Sequence, residues 1–379
     1  MKRIYLDYAA TTPLDKRVEK EKQSSPWGNT MSLHSFGQEA KLALENSRQV
    51  LAEAINANAN EIIFTGSATE SNNTALKGVA WAKKSGHIII SSIEHPCIVE
   101  SAKWLKKQGF EITELPVDKF GKVSPQDVAN AIKPDTILVS IIHANNEIGT
   151  IQNIAQIGKI CRDKNVLFHT DASQSFGKVA IDVEKMNIDL LTASSHKIYG
   201  PKGAGLLYVR KGIVLTPLLH GGGQENGLRG STVNLPAIVG FAKACEICHK
   251  EMKKEAKRQI TLRNKLIKGI LKIENSYLNG HPTERLPNNA NFRFDFVEGE
   301  SLLMQLDMEG IACSTGSACS SFKLEPSHVL LATGLKPEQC HGSLRVSIGR
   351  FTTQKDIEKI IKVLPKIVEK IRAISPYGK

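Results

Sequence analysis

Between residues 60 and 215, short β-branched runs alternate with segments of helical period, and no other feature restricts the possible folds as much. The candidate strands are Ile62–Thr65, His87–Ser91, Glu111–Leu115, Thr136–Ile142, Val166–Thr170, Asp189–Ala193 and Gly205–Val209. Helix-period segments such as Glu70–Lys84, Ile98–Lys107 and Ile154–Lys164 lie between them. Alternation of this kind builds a mostly parallel sheet, here of seven strands, with helices on both faces. Ligands of such sheets sit beyond the carboxyl ends of the strands. Past Pro236 the pattern changes. Ala237–Ile273 reads as one long, amphipathic, basic helix, followed by strand-like Asn291–Val297, a helix from Glu300, a Ser/Gly/Cys loop and a closing helix from Thr353. The expected architecture is α/β, with a large domain at 15–246 and a smaller α+β domain formed by 1–14 and 247–379.

Composition narrows the class further. A chain of 379 residues with 41% hydrophobic content is neither disordered nor one small domain. Seven dispersed cysteines do not make a disulfide framework in a chain of this size. No run of about 18 apolar residues is present, so no membrane span is expected. The opening MKRIYLDYAATTP lacks the apolar core of a signal peptide, which leads to an expectation of cytoplasmic location.

Several residues near strand ends could carry chemistry. Asp171 closes a strand in VLFHTDASQS, and Lys197 follows another in LLTASSHKIYGPKG. An aldehyde cofactor needs a lysine of this kind for its Schiff base and an acid to keep its pyridine nitrogen protonated. The plainer alternative is a loop lysine and an aspartate that caps a helix. In FTGSATESNN a small-residue turn enters a helix at Ala68, Thr69 and Glu70. Backbone amides, a hydroxyl and the helix dipole there make a phosphate seat, or only a capped helix start. His95 in IEHPC and Asn145, Asn146 and Glu147 in HANNEIG also lie just past strands. The imidazole could lie flat on an aromatic cofactor and move protons, or be a structural residue. The two asparagines could simply form a turn.

Cys319, in IACSTGSACSSFKLEPSH, sits among Ser, Gly and Ala rather than core residues, which marks a candidate nucleophile on an exposed loop. Cys313 lies just before it, so a disulfide or metal pair competes; no second Cys/His cluster completes a zinc set. Cys245, Cys248 and His249 fit the c-type haem attachment pattern, but inside the long basic helix of a chain with no export signal. HGGGQENG and YGPKGAG are not followed by a helix in the dinucleotide-binding arrangement, and there is no P-loop.

Together these segments resemble one family, the pyridoxal-phosphate-dependent cysteine desulfurases of the class V aminotransferase-like group. The resemblance is carried by YLDYAATTP at 5–13, ATESNN at 68–73, EHP at 94–96, NNEIG at 145–149, TDASQSFGK at 170–178, SSHKIYGPKGAG at 194–205, HGGGQE at 220–225, STGSAC at 314–319 and LRVSIGRFTT at 344–353. It implies a fold-type I enzyme that binds pyridoxal 5′-phosphate and converts L-cysteine to L-alanine. Lys197 would carry the cofactor, Asp171 would pair with its ring nitrogen, and His95 would stack on the ring and assist proton transfer. Gln174 and Asn146 would bond the ring hydroxyl or the substrate. Ala68, Thr69, Ser194, Ser195 and His196 would seat the phosphate, and Thr232 would reach the phosphate of the other subunit of a homodimer. Arg345 would clamp the substrate carboxylate, a bidentate task that suits guanidinium. Cys319 would accept the sulfur as a persulfide.

The STGSAC loop resembles the branch with the longer catalytic loop, which serves iron–sulfur cluster assembly and tRNA thiolation through sulfur-acceptor proteins. The chain departs from the family pattern in a short stretch between Pro13 and Gly28, in Thr30 where proline is usual, and in GSATE and RGST. The last two alter the backbone of the phosphate seat and the dimer contact while keeping Thr69 and Thr232. A selenocysteine lyase of the same fold would share Lys197 without needing Cys319. A non-catalytic or RNA-binding protein on this scaffold would draw on the net charge of +12. That surplus concentrates in 247–273 and 353–379, on helices away from the expected cofactor site, as a solvated face or a docking surface for an acidic sulfur acceptor. Direct DNA binding is not expected.

Overall fold

The computed structural model describes residues 3–315 and 326–374. Its strands are β1 (Ile4–Tyr5), β2 (Ile62–Thr65), β3 (His87–Ser91), β4 (Glu111–Leu115), β5 (Thr136–Ser140), β6 (Leu167–Asp171), β7 (Leu190–Ser194), β8 (Gly205–Val209), β9 (Ser276–Asn279), β10 (Asn289–Phe294), β11 (Ile311–Ala312) and β12 (Ser343–Ser347). Seven of them form one sheet in the order β2-β8-β7-β6-β5-β3-β4. Strand β8 runs antiparallel to both neighbours, and every other pairing in this sheet is parallel. The seven strands expected from the sequence are therefore present, with small shifts. Strand β5 stops at Ser140, short of Ile142, because the chain turns there and the Ile142 amide donates to the Glu94 carboxylate at 2.8 Å.

Both faces of the sheet are covered, which is why β3, β7 and β8 are buried along their whole length and read as continuous apolar runs. Alternate side chains point to opposite faces. Ile62 and Phe64 join the core under the helix Ser35–Glu53, whereas Ile63 joins the core under the helices Ala68–Lys83 and Pro96–Lys107. The long helix Leu235–Ile270 starts with proline in its first turn, where the missing amide hydrogen costs nothing. Phe241, Cys245 and Cys248 on this helix pack into the large core, so the haem-like spacing is spent on packing. Further along, Leu262, Leu266 and Ile270 pack into a second core with Phe292, Leu344 and Ile360.

The second core lies on an antiparallel sheet of order β12-β10-β9 and a separate parallel pair, β1 with β11. Through that pair the first residues reach the C-terminal region, with Ile4 opposite Ile311 and Tyr5 opposite Ala312. No helix among the described residues is long and apolar enough to cross a membrane.

One buried ion pair fastens the loop after β8. Arg48 donates to both carboxylate oxygens of Glu225 at 2.8 and 2.9 Å and to the Ile62 carbonyl at 2.6 Å. Glu225 also accepts the Phe64 amide at 2.7 Å. Both side chains are almost fully buried, at 7% and 2% exposure. Removing one member of such a pair leaves an uncompensated charge, a loss of about 3–5 kcal/mol. The variant Glu225→Ala is expected to lower the denaturant midpoint accordingly; an unchanged midpoint would show that the pair is dispensable.

Candidate active site

All the parallel strands of the large sheet end on the same side, and a cleft of about 340 Å³ opens there. Its walls include Ala68, Thr69, His95, Asn146, Asp171, Gln174, Ser194, His196, Lys197 and Arg345. These ten positions, all singled out in the sequence, thus converge on one cavity from the ends of β2, β3, β5, β6 and β7 and from β12. Ser195 lies behind the wall, fully buried, with its hydroxyl unpartnered. Thr232 is exposed and lies outside the cleft lining. Cys319 lies outside the described residues.

Lys197 sits in the short 3-10 turn Ser195–Lys197 that follows β7. Its ammonium donates to the carbonyls of Ala9 and Ala10 at 2.8 and 2.6 Å. Gln174 donates to the same Ala9 carbonyl at 2.9 Å and accepts from Lys178 at 3.4 Å. Burial, reinforced by Lys197, pulls the half-buried Lys178 down to about 7. Asp171, at the end of β6, accepts from the Asn72 side chain at 2.7 Å and from the Ser173 amide and hydroxyl at 2.8 and 2.5 Å.

His95 caps the helix Pro96–Lys107, its Nδ1 accepting the Cys97 amide at 3.2 Å. Burial holds this imidazole below its ordinary range; Asp171 opposes the shift, while Lys197 and His328 add to it. His196 is pulled down to about 4, by burial first and then by Lys197, Lys202 and Lys178, so it is a neutral ring at physiological pH. Its Nδ1 meets the Thr11 hydroxyl at 3.1 Å. Arg345, on β12, donates to Asp7 at 2.9 Å and to the Asn146 carbonyl at 3.1 Å, and its Nε is buried with no partner.

The helix Ala68–Lys83 starts at the cleft, capped by Ser67, whose hydroxyl accepts the Glu70 amide at 3.1 Å. Amides of a first helical turn lack intrahelical acceptors, so Ala68 and Thr69 offer donors and a positive dipole end to an anion. Glu70 does not point its charge at that end unopposed: it accepts from the Gly66 amide at 2.8 Å and from Arg229 at 2.8 Å. The seat is also close-packed at Gly205, where a Cβ would come within 2.5 Å of Ser67 backbone and the Thr65 hydroxyl.

An amine, a facing carboxylate, an amide-rich helix start and a buried guanidinium together fit a phosphorylated aromatic aldehyde and an amino acid. The unpartnered carbonyl oxygen of Asn72 and the unpartnered Nε of Arg345, both on residues that line the cleft, leave polar capacity there. Sequence reasoning missed Ala9, Ala10, Asn72, Cys97, Lys178 and His328. Asn72 had a usable signal, since it stands three residues after Thr69 and shares its helix face. The two alanines had none, because their role is played by backbone carbonyls.

The aminotransferase class-V family model matches residues 4–360. The chain is 51% identical over 377 residues to the cysteine desulfurase IscS 1 of Archaeoglobus fulgidus, covering 98% of each. It is 50% identical over 380 residues to the cysteine desulfurase IscS of Methanosarcina thermophila, covering 99% of this chain and 94% of that one. Among solved structures, a NifS-like protein matches with a TM-score of 0.92 at 37% identity, over 97% of this chain and 100% of that one.

Proposed function

The chain belongs to the aminotransferase class-V family, and we propose from that premise that it is a pyridoxal-phosphate-dependent cysteine desulfurase. It takes sulfur from L-cysteine, leaves L-alanine and passes the sulfur on through a persulfide on Cys319. The observation that carries this reading is the meeting of Lys197, Asp171, His95 and Arg345 in one cleft. Pyridoxal phosphate, when bound, supplies an aldehyde for amine exchange and a protonated ring that draws electrons from the substrate Cα.

The chain's own residues do the rest. Ala68, Thr69, Ser194 and His196 would hold the phosphate, and Asp171 would keep the ring nitrogen protonated; Ser195, expected to join them, instead lies behind the wall with its amide donating to the Ala204 carbonyl at 3.1 Å. Gln174 and Asn146 would orient the ring hydroxyl and the substrate. Arg345, steadied by Asp7, takes the substrate carboxylate. Lys197 would hold the cofactor's aldehyde carbon and supply the amine that moves the proton at the substrate Cα, and His95 would handle a second proton nearby. The Cys319 thiolate attacks the substrate sulfur: a sulfur–sulfur bond forms, the carbon–sulfur bond breaks, and the substrate Cβ takes the proton that completes alanine.

Sulfur then goes to an acceptor protein of iron–sulfur cluster assembly or tRNA thiolation. A homodimer fits this reading. Thr232 is exposed and available to a second subunit, and Trp27, Met31, Leu33 and Phe36 leave an apolar surface at 82%, 59%, 91% and 49% exposure. The two cores that the long helix joins support a division near 15–246 and 1–14 with 247–379, although Tyr8, Ile247 and Cys248 pack into the larger core. Borohydride reduction of the cofactor-loaded protein, followed by peptide mapping, tests the assignment. The label is expected on Lys197; a label on another lysine, or none, would overturn it.

A further inference from the structure

Cys97 has no part in the reaction as described, yet it lines the cleft with its sulfur between Asn72 and His95. We propose that Cys97 is a positioning residue: a hydrogen-bonded chain from Asp171 through Asn72 and Cys97 to His95 fixes His95 as the neutral tautomer with its hydrogen on Nε2. The inference rests on the reading of His95 as a proton handler and adds what sets its protonation.

Direction along the chain follows from donor counting. The Asn72 amide nitrogen carries two hydrogens. It stands 2.7 Å from Asp171 Oδ2 and 3.1 Å from Cys97 Sγ, so it donates once to each. The reversed amide would set its carbonyl oxygen against the Asp171 carboxylate. With Asn72 donating, and the Thr69 hydroxyl also placed to donate to the sulfur, the sulfur accepts from both and has its own hydrogen to give. His95 Nδ1 is 3.0 Å away. The same nitrogen also accepts the Cys97 backbone amide at 3.2 Å. Two donors on one ring nitrogen leave the lone pair on Nδ1 and the hydrogen on Nε2, where it is free for the cleft.

The opposite ionic pair, thiolate with imidazolium, is disfavoured from both ends. Burial, with the Asp171 charge adding, pushes the Cys97 thiol up to about 12. Burial holds His95 low. The charged and titratable groups that face His95 are Asp171 from the end of β6, Lys197 from the turn after β7 and His328 from the helix His328–Ala332; Glu94 adds its influence on Cys97. Only Asp171 favours the imidazolium. A donor to Nδ1 stabilises the neutral ring, so removing the thiol should let the His95 pKa rise.

The test is ¹⁵N-histidine NMR across the neutral range on the cofactor-free and the cofactor-loaded protein, for wild type, Cys97→Ala and Cys97→Ser. Wild type is expected to show His95 with hydrogen on Nε2. Cys97→Ala should raise its pKa by about 0.5–1 unit, and Cys97→Ser, which keeps a donor, should restore it. In the loaded enzyme the acid limb of kcat/KM should move with the NMR pKa. Iodoacetamide should leave Cys97 unmodified at neutral pH. A wild-type His95 with hydrogen on Nδ1, identical titrations in all three proteins, or neutral-pH alkylation of Cys97 would each overturn the proposal. His95→Gln separates the two claims: full turnover in that variant removes His95 from proton transfer, while the NMR result still decides the chain.

Discussion

Replacing Lys197 by Ala is expected to lower turnover of L-cysteine by at least about 10⁴-fold, since a positioned acid–base group alone contributes about 10²–10⁴-fold. The variant also loses the amine through which the cofactor is held and exchanged. The geometry makes substitution from elsewhere implausible. Lys197 is held by two backbone carbonyls at 2.8 and 2.6 Å on the floor of the cleft, whereas the next lysine, Lys178, is engaged with Gln174. Single-turnover alanine formation is the measurement, because it reads the chemical step without product release. Turnover within about tenfold of wild type would show that the Cα proton moves through another group.

Cys319→Ala is expected to remove sulfide release by at least about 100-fold, the scale of losing an activated nucleophile, while leaving the borohydride label on Lys197 intact. The other six cysteines explain why no rescue is expected. A thiol attacks as its thiolate. Burial is the first cause that pushes each of the six above the ordinary range: Cys97 and Cys161 to about 12, Cys248 and Cys340 to about 11, with Cys245 and Cys313 also raised. None of them is poised for attack at neutral pH. Sulfide release at an undiminished rate in the variant would remove the persulfide route.

The strands were legible because a sheet covered on both faces must be apolar along its whole length, and Ile88, Ile89 and Ile90 say so locally. Lys197 and Asp171 stand out at strand ends among small and polar residues, but their position alone leaves a plain loop lysine and a capping aspartate open, and their roles come from the family resemblance. What could not be read is contact over long separations. The insertion of β8 between β2 and β7 depends on pairing across most of the large domain. The hydrogen bond from Asn72 to Asp171 depends on how a helix lies over two strands. Cys97 was passed over for a different reason. A cysteine beside proline at a helix start looks like an ordinary packed residue, and only the position of its sulfur between Asn72 and His95 distinguishes it.

The carbonyls of Ala9 and Ala10 that hold Lys197 belong to a segment anchored by the pairing of β1 with β11 and by the bridge from Asp7 to Ser347. A growing chain emerges N-terminal end first, and domains tend to fold as they appear. The seven strands of the large sheet have all left the ribosome long before β11 and β12 exist to receive the opening residues. A nascent large domain can hold this segment through Thr12, which donates to the His196 carbonyl and accepts the Tyr199 amide, but it lacks the β11 and β12 anchors. The second set of anchors on Ala9 and Ala10, and so the full fastening of the acceptors of Lys197, is completed only after the C-terminal strands have been made.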